Sequence, residues 1–274
     1  MSERNRPASE HIRLEFTGRL AHITFARPRR RNSMTLDMIE WLRDCARTVA
    51  ARTELGAVLI DAEGHDFCAG VDLAEFDAIP DAAEHARRGV TLAQQAIAAF
   101  HSIPVPVITA VQGSAAGGGL GIALSGDIVL AASDARFIAP YSQLGLSPDG
   151  GVSWQLVRLL GSARATDALL TGRPIVADEI FALGLVSRLY PRDELRFEAE
   201  QIATDLANGP TAALIATKRL ARSASAQGFE DQLRDELESF ARLGGQPDQI
   251  EGVAAFVERR PPAFNEAESD EGTR

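Results

Sequence analysis

The sequence predicts an α/β fold, with a core sheet covered on both faces and a run of helices after it. Three observations predict this. Short apolar runs at 57–60, 104–111 and 127–132 read as strands buried on both sides. Segments with helical spacing of apolar residues separate them, the alternation that builds a sheet with covered faces. Beyond Gly161 helical patterns follow one another almost without interruption. A chain of 274 residues, 45% apolar and 24% charged, is long enough for such a core.

The elements follow in order. Residues 1–10 read as a flexible tail. Ile12, Leu14 and Phe16 alternate with Arg13 and Glu15; Thr17-Gly18 signals a turn, and Ala21, Ile23 and Phe25 resume the alternation, which makes a β-hairpin. A basic loop, Pro28 to Asn32, precedes a helix that Ser33 or Thr35 caps, with Leu36, Ile39, Leu42, Ala46 and Val49 on its apolar face. Ala57–Ile60 is a buried strand and 83–101 a helix. Pro104–Val111 is a second buried strand, its prolines at the entry where they are tolerated. Gln112–Gly121 is rich in glycine and alanine and runs into an apolar helix ending at Leu124. Strands at 127–132 and 137–139 precede a loop, Gly145–Gly151, and a helix through Trp154. Helices are expected at 163–171, 177–183, 193–208, 211–225, 229–242 and 247–259. The acidic end, from 265 to 274, reads as a second flexible tail.

Composition removes several classes of function. The 28 basic and 38 acidic side chains give a net charge of −10, which argues against nucleic acid and anionic membranes as partners. No apolar run approaches the roughly 18 residues of a membrane span. The polar N-terminus lacks the apolar core of a signal peptide, and two cysteines make no disulfide framework, so a cytoplasmic location is expected. Histidines, cysteines and carboxylates show no metal-ligand spacing. Cys45 and Cys68 read as small hydrophobes, His65 as a surface residue, and Trp41 and Trp154 as helix packing residues.

Two glycine clusters follow predicted buried strands: Phe67-Cys68-Ala69-Gly70-Val71-Asp72-Leu73 and Gln112-Gly113-Ser114-Ala115-Ala116-Gly117-Gly118-Gly119-Leu120-Gly121. Such turns let backbone N–H groups point at a ligand with no side chain in the way. Phosphate cradling of the Gly-Lys-Ser/Thr type needs a lysine, and the chain's one lysine, Lys218, is elsewhere. A dinucleotide motif would have to sit mid-chain. An oxyanion hole, one N–H from each loop, suits two separate glycine turns best. A single glycine would be read as packing; a triple glycine beside a second glycine loop points to function.

Those clusters, with Asp127 downstream, Gly172…Ala177…Ala182-Leu183-Gly184-Leu185-Val186-Ser187 and the ending Phe256…Arg260-Pro261-Pro262-Ala263-Phe264, resemble the crotonase superfamily, also called the enoyl-CoA hydratase/isomerase family, over about residues 12–264. The resemblance implies a core of stacked ββα turns over 11–195 and a C-terminal helical trimerisation region over 196–264. It implies a homotrimer or a dimer of trimers, and no permanently bound cofactor, coenzyme A arriving as part of an acyl-CoA thioester substrate. It gives the oxyanion donors as the N–H groups of Val71 and Gly118. Ala69, Gly70, Asp72, Leu73, Gly117 and Tyr141 become substrate-lining positions, with a helix cap as the competing reading of Asp72 and simple packing that of Tyr141. The basic loop, with Arg29 and Arg30, comes to lie near the CoA nucleotide, and Phe256 to close its adenine end from a neighbouring subunit.

Which reaction follows turns on acid and base positions. The two glutamates of the family's hydratases fall on Gly121 and Tyr141 here. One acidic residue remains in the third loop, Asp149 of Pro148-Asp149-Gly150, where isomerising members place an Asp or Glu. A lone carboxylate suits isomerisation, removing a proton at one carbon and returning it at another. A Pro-Asp-Gly turn in which the aspartate bonds its own backbone is the plain structural alternative. A double-bond or epoxide isomerase is thus the leading expectation. A 2-enoyl-CoA hydratase using Asp149 and water, and a non-catalytic acyl-CoA-binding protein, are the alternatives; the aryl-CoA dehalogenase branch, which has Trp where Tyr141 stands, ranks lower.

Overall fold

The computed structural model describes residues 10–75 and 81–265, so the tail expectations for 1–9 and 266–274 lie outside the described residues. The hairpin forms as expected: β1 (Ile12–Thr17) and β2 (Leu20–Phe25) pair antiparallel around Gly18, whose φ of +55° suits glycine. Helix α1 (Leu36–Ala50) starts where Thr35 accepts the Met38 N–H, which settles the cap in favour of Thr35 over Ser33. Strand β3 (Ala57–Ala62) is buried at every position. Helix α2 spans Ala82–Ser102. Strand β4 begins only at Val107 and ends at Val111, because Pro104 and Pro106 have no N–H to give the ladder. Strand β6 (Ile128–Ala132) completes the predicted set for the main sheet.

Three strands went unread in the sequence. Ser114–Ala116 forms β5, Ile175–Val176 forms β8 and Arg188–Tyr190 forms β9. Each has two or three residues, too few for an alternating pattern to show. The main sheet runs β1-β2-β3-β4-β6-β9, parallel from β2 onward, and the small sheet runs β5-β7-β8, with β7 at Arg136–Ile138.

The sheet is covered on both faces, as the continuous apolar strands require. Val58 and Ile60 of β3 face the core that also holds Leu42, Val49 and Phe100 of the first two helices. Ala57 and Leu59 face helix α7 (Arg192–Ala207), which presents Leu195, Ala199, Ala203 and Ala207, one residue per turn. Small side chains let α7 lie close. A Cβ at Gly56 would come within 2.1 Å of the Ala207 carbonyl oxygen, so that packing needs a glycine. The expected 195/196 boundary falls inside this helix.

Helices α3 (Gly118–Ala123), α4 (Val152–Leu160), α5 (Ser162–Thr171) and α6 (Ala177–Ala182) surround the small sheet and the loops. Helices α8 (Thr211–Ser223), α9 (Phe229–Leu243) and α10 (Pro247–Glu258) end the described chain. The lone lysine secures α8 to the core: Lys218 Nζ donates to the Val105 carbonyl at 2.7 Å and pairs with Asp127 at 2.6 Å, and Arg222 takes the second Asp127 oxygen at 2.7 Å. No helix of the described residues is long and apolar enough to cross a membrane.

Candidate active site

The three glycine-bearing loops meet at the ends of β3, β4 and the small sheet. The first is anchored by Phe67, fully buried and edge-to-face with Phe25 at 5.6 Å. Backbone hydrogen bonds then stitch it to the second loop. Cys68 N–H donates to the Ser114 carbonyl at 3.1 Å, and Ala116 N–H returns to the Cys68 carbonyl at 2.9 Å. Contact is tight enough to demand glycine: a Cβ at Gly119 would lie 2.4 Å from the Cys68 carbonyl oxygen, and one at Gly70 would lie 2.8 Å from that of Ala116.

This stitching orients two amide groups. A trans peptide unit points its C=O and N–H in opposite directions. The Gly70 carbonyl accepts from Met34 N–H at 2.8 Å, so the N–H of the same unit, on Val71, points away from Met34. The Gly117 carbonyl accepts from Leu120 and Gly121 at 3.0 and 3.2 Å, inside α3, so the Gly118 N–H points outward from that helix. Among the described residues neither N–H has an acceptor. Both are preceded by glycines with φ in the left-handed region, +95° at Gly70 and +53° at Gly117. Two free N–H groups on adjacent, hydrogen-bonded loops are the kind of donor that an oxygen developing negative charge requires.

The third loop lies against the same helix. A Cβ at Gly121 would meet the Gly150 carbonyl oxygen at 2.9 Å and Ile97 Cδ1 at 3.0 Å. A side chain at position 121 would force the third loop to shift. Asp149, next to Gly150, is half-buried and does not cap its own turn. It accepts a hydrogen bond from the Tyr141 hydroxyl at 2.7 Å. Tyr141, on a single 3-10 turn over Pro140–Leu144, is 6% exposed; burial, and then the Asp149 charge, push its hydroxyl well above the usual phenol range. It is a neutral donor at any working pH.

The other two loop carboxylates are spoken for. Asp66, which the sequence did not single out, accepts from Arg31 at 2.8 Å and from the Ser114 N–H at 2.8 Å, tying the first loop to the second. Asp72 accepts from Arg27 at 2.8 Å, from Arg30 at 3.3 Å and from the Ala74 N–H at 3.2 Å. Its lone pairs are used within the chain, which favours a clamp on the residue after Val71 over a substrate contact. Arg30 is held by the same pairing though its side chain stays exposed, while Arg29 has no side-chain partner among the described residues and is exposed. Asn32 is a second missed residue: fully buried at φ +54°, it donates to the carbonyls of Glu63 and Asp66 and accepts from Arg27 N–H, holding the basic loop to the first glycine loop. An Asn beside a basic run, where a left-handed residue is needed, was the available signal.

Burial would raise both aspartates, but at Asp66 the Arg31 and Ser114 donors, and at Asp72 the Arg27 and Ala74 donors with the arginine charges, outweigh it and hold both below the usual carboxylate range. Their stabilising contribution is full above about pH 4, where the unfolded chain's carboxyls are ionised too, and vanishes as pH falls through the lower folded values. The thermal midpoint should therefore fall below about pH 4. At neutral pH Asp72→Asn should cost about 3 kcal/mol, because Arg27, 18% exposed, loses its charge partner. Its acid-induced fall should be shallower than the wild type's; parallel falls in a pH series of melting curves would remove Asp72 from this account.

Other expectations are placed as follows. Ala69 and Leu73 flank Val71, Leu73 half-exposed. Cys45 and Cys68 are buried and free, and burial pushes the Cys68 thiol up to about 12, as expected of inert cysteines. Trp154 is not a packing residue: it is 58% exposed with Arg158 stacked 4.5 Å over its ring. Phe256 is 85% exposed on α10, away from the three loops, where it lines an apolar groove of about 1190 Å³ with Phe240, Val253 and Phe264. Among the described residues no three or more His, Cys, Asp or Glu side chains are placed to hold a metal ion.

Fold and loops together describe a scaffold for a substrate carbonyl, and comparison with known proteins gives it a family. Residues 15–267 match the model of the enoyl-CoA hydratase/isomerase family. The 1,2-epoxyphenylacetyl-CoA isomerase of Escherichia coli K12 is 36% identical over 248 residues, covering 88% of this chain and 93% of its own. A Rhodobacter capsulatus protein named "Probable enoyl-CoA hydratase" is 36% identical over 256 residues, covering 92% and 97%. The crystal structure of an enoyl-CoA hydratase from Polaromonas sp. JS666 superposes with a TM-score of 0.86 at 34% identity, covering 93% and 99%. The chain belongs to the enoyl-CoA hydratase/isomerase family and is an acyl-CoA enzyme of the crotonase fold.

Proposed function

We propose that the protein is an acyl-CoA isomerase that shifts a 3-enoyl-CoA to its conjugated 2-enoyl isomer or rearranges an epoxide on an acyl-CoA. One observation carries the reading: of the three loop carboxylates, Asp66 and Asp72 are neutralised by arginines, and Asp149 is bonded to a neutral hydroxyl. Asp149 is the base. For a 3-enoyl thioester it removes a proton from C2. The C–H electron pair passes into a dienolate whose negative oxygen is held by the Val71 and Gly118 N–H groups. Asp149 then returns the proton at C4, leaving the double bond between C2 and C3. Proton and electron pairs balance with no water consumed.

Gly70, Gly117 and Ala69 border the thioester in this reading, Leu73 and Tyr141 the acyl side, and Arg29 of the basic loop offers its cation to the CoA phosphates. The exposed Phe240, Val253 and Phe256 support a homotrimer, or a dimer of trimers, in which α8–α10 are covered by a second copy and Phe256 reaches a neighbour's nucleotide.

The second reading, hydration of a 2-enoyl-CoA, has in its favour the hydratase names of the Rhodobacter and Polaromonas relatives. Against it stands the closed space at Gly121. Incubation with 3-enoyl, epoxy-arylacetyl and 2-enoyl thioesters decides the matter. Appearance of conjugated absorbance from the 3-enoyl substrate, or of the rearranged epoxide, is the expected result. Rapid loss of absorbance from the 2-enoyl substrate alone would establish a hydratase, and binding without turnover a non-catalytic member.

A further inference from the structure

Asp149 has two carboxylate oxygens, and the surroundings treat them differently. Oδ1 accepts from the Tyr141 hydroxyl at 2.7 Å. Among the described residues Oδ2 has no partner. The tyrosine's turn is closed at its C-terminal end: Leu146 N–H donates to the Tyr141 carbonyl at 2.9 Å, and Gly145 ends the turn at φ +69°. Its ring is buried and cannot swing into solvent. On the other side, Gly150 packs against Gly121 and Ile97, an apolar wall with no donor side chain.

Resting on the reading of Asp149 as base, we infer that Tyr141 is a positioning residue which pins Oδ1 of Asp149 and so leaves Oδ2 as the one atom that carries the proton. A carboxylate free to rotate presents either oxygen and passes its proton readily to water. A pinned one keeps the proton on the oxygen that faces the substrate, and so returns it to the same molecule. Tyr141 thereby biases the site toward transfer within the substrate and away from activation of water. The phenol itself takes no proton and touches no reacting atom.

Enolisation gives a test that needs neither complete isomerisation nor hydration. The full-length protein is incubated in D2O with a saturated acyl-CoA, and deuterium entry at C2 is followed by mass spectrometry. The same samples are assayed for isomerisation of a 3-enoyl-CoA with solvent label counted in the product. In Tyr141→Phe, kcat for isomerisation should fall roughly ten- to hundredfold with KM and the thermal midpoint unchanged, while the fraction of product carrying solvent deuterium rises. Equal kcat and equal label in wild type and Tyr141→Phe overturn the inference and leave Asp149 as base. A fall in kcat matched by a rise in KM or a drop in the thermal midpoint also overturns it, because that is the mark of a structural role. Wild-type deuterium exchange without isomerisation overturns the isomerase reading instead; the exchange rate of the variant then decides the inference, a rate equal to the wild type's overturning it. A wild type that shows neither exchange nor isomerisation overturns both.

Discussion

Asp149→Asn should lower turnover about a thousandfold while leaving acyl-CoA affinity and thermal stability at their wild-type values. Asn keeps the shape of Asp, and its amide oxygen still accepts the Tyr141 hydroxyl, so the third loop has no reason to move. What is lost is a group that takes a proton. General base catalysis contributes typically 10²- to 10⁴-fold, and among the described residues of the three loops no second carboxylate stands by to substitute: Asp66 and Asp72 are locked to arginines, and Gly121 has no side chain. The measurement is kcat on the substrate that the wild type turns over, with calorimetric binding of a non-reacting acyl-CoA beside it. Turnover within tenfold of wild type would remove Asp149 from the chemistry. A parallel loss of binding would make it a ligand contact.

The site was legible in the sequence where function leaves a composition signal and opaque where it depends on a contact between distant residues. Gly70 and Gly119 stood out because close backbone approach excludes every other residue type, and Gly117 because its φ of +53° suits glycine. The same physics made the long strands readable, since a strand buried on both faces, such as Ala57–Ala62, is apolar throughout. Asp72 was not readable. Its neighbours in sequence say helix cap or ligand contact, and the arginine that decides the matter lies 45 positions earlier. Asp66 and Asn32 were missed for the same reason, because their partners belong to other loops. The Tyr141–Asp149 bond spans only eight residues, yet it depends on a left-handed turn at Gly145 and on burial that no local pattern encodes. Trp154 shows the converse error: an aromatic residue at helical spacing predicts packing, and its helix turns that face to solvent.

Gly119→Ala should cost about a hundredfold in kcat, although residue 119 is neither of the two proposed oxyanion donors. The added methyl would lie 2.4 Å from the Cys68 carbonyl oxygen and 2.8 Å from its Sγ. That carbonyl cannot retreat without giving up the bond it accepts from Ala116, which joins the two loops. The strain must then move the first turn of α3, and with it the Gly118 N–H. Losing one well-aimed oxyanion donor costs about 10²- to 10³-fold, and overpacking adds roughly 1–3 kcal/mol of instability. Gly184→Ala separates these effects. Gly184 also has a left-handed φ, +76°, but nothing lies within 4 Å of its absent Cβ. That variant should lose about 1–2 kcal/mol from backbone strain alone and keep its turnover. If both variants lose stability and neither loses activity, the loop contact at Cys68 does not set the donor geometry, and the Gly118 N–H is not where the developing charge is held.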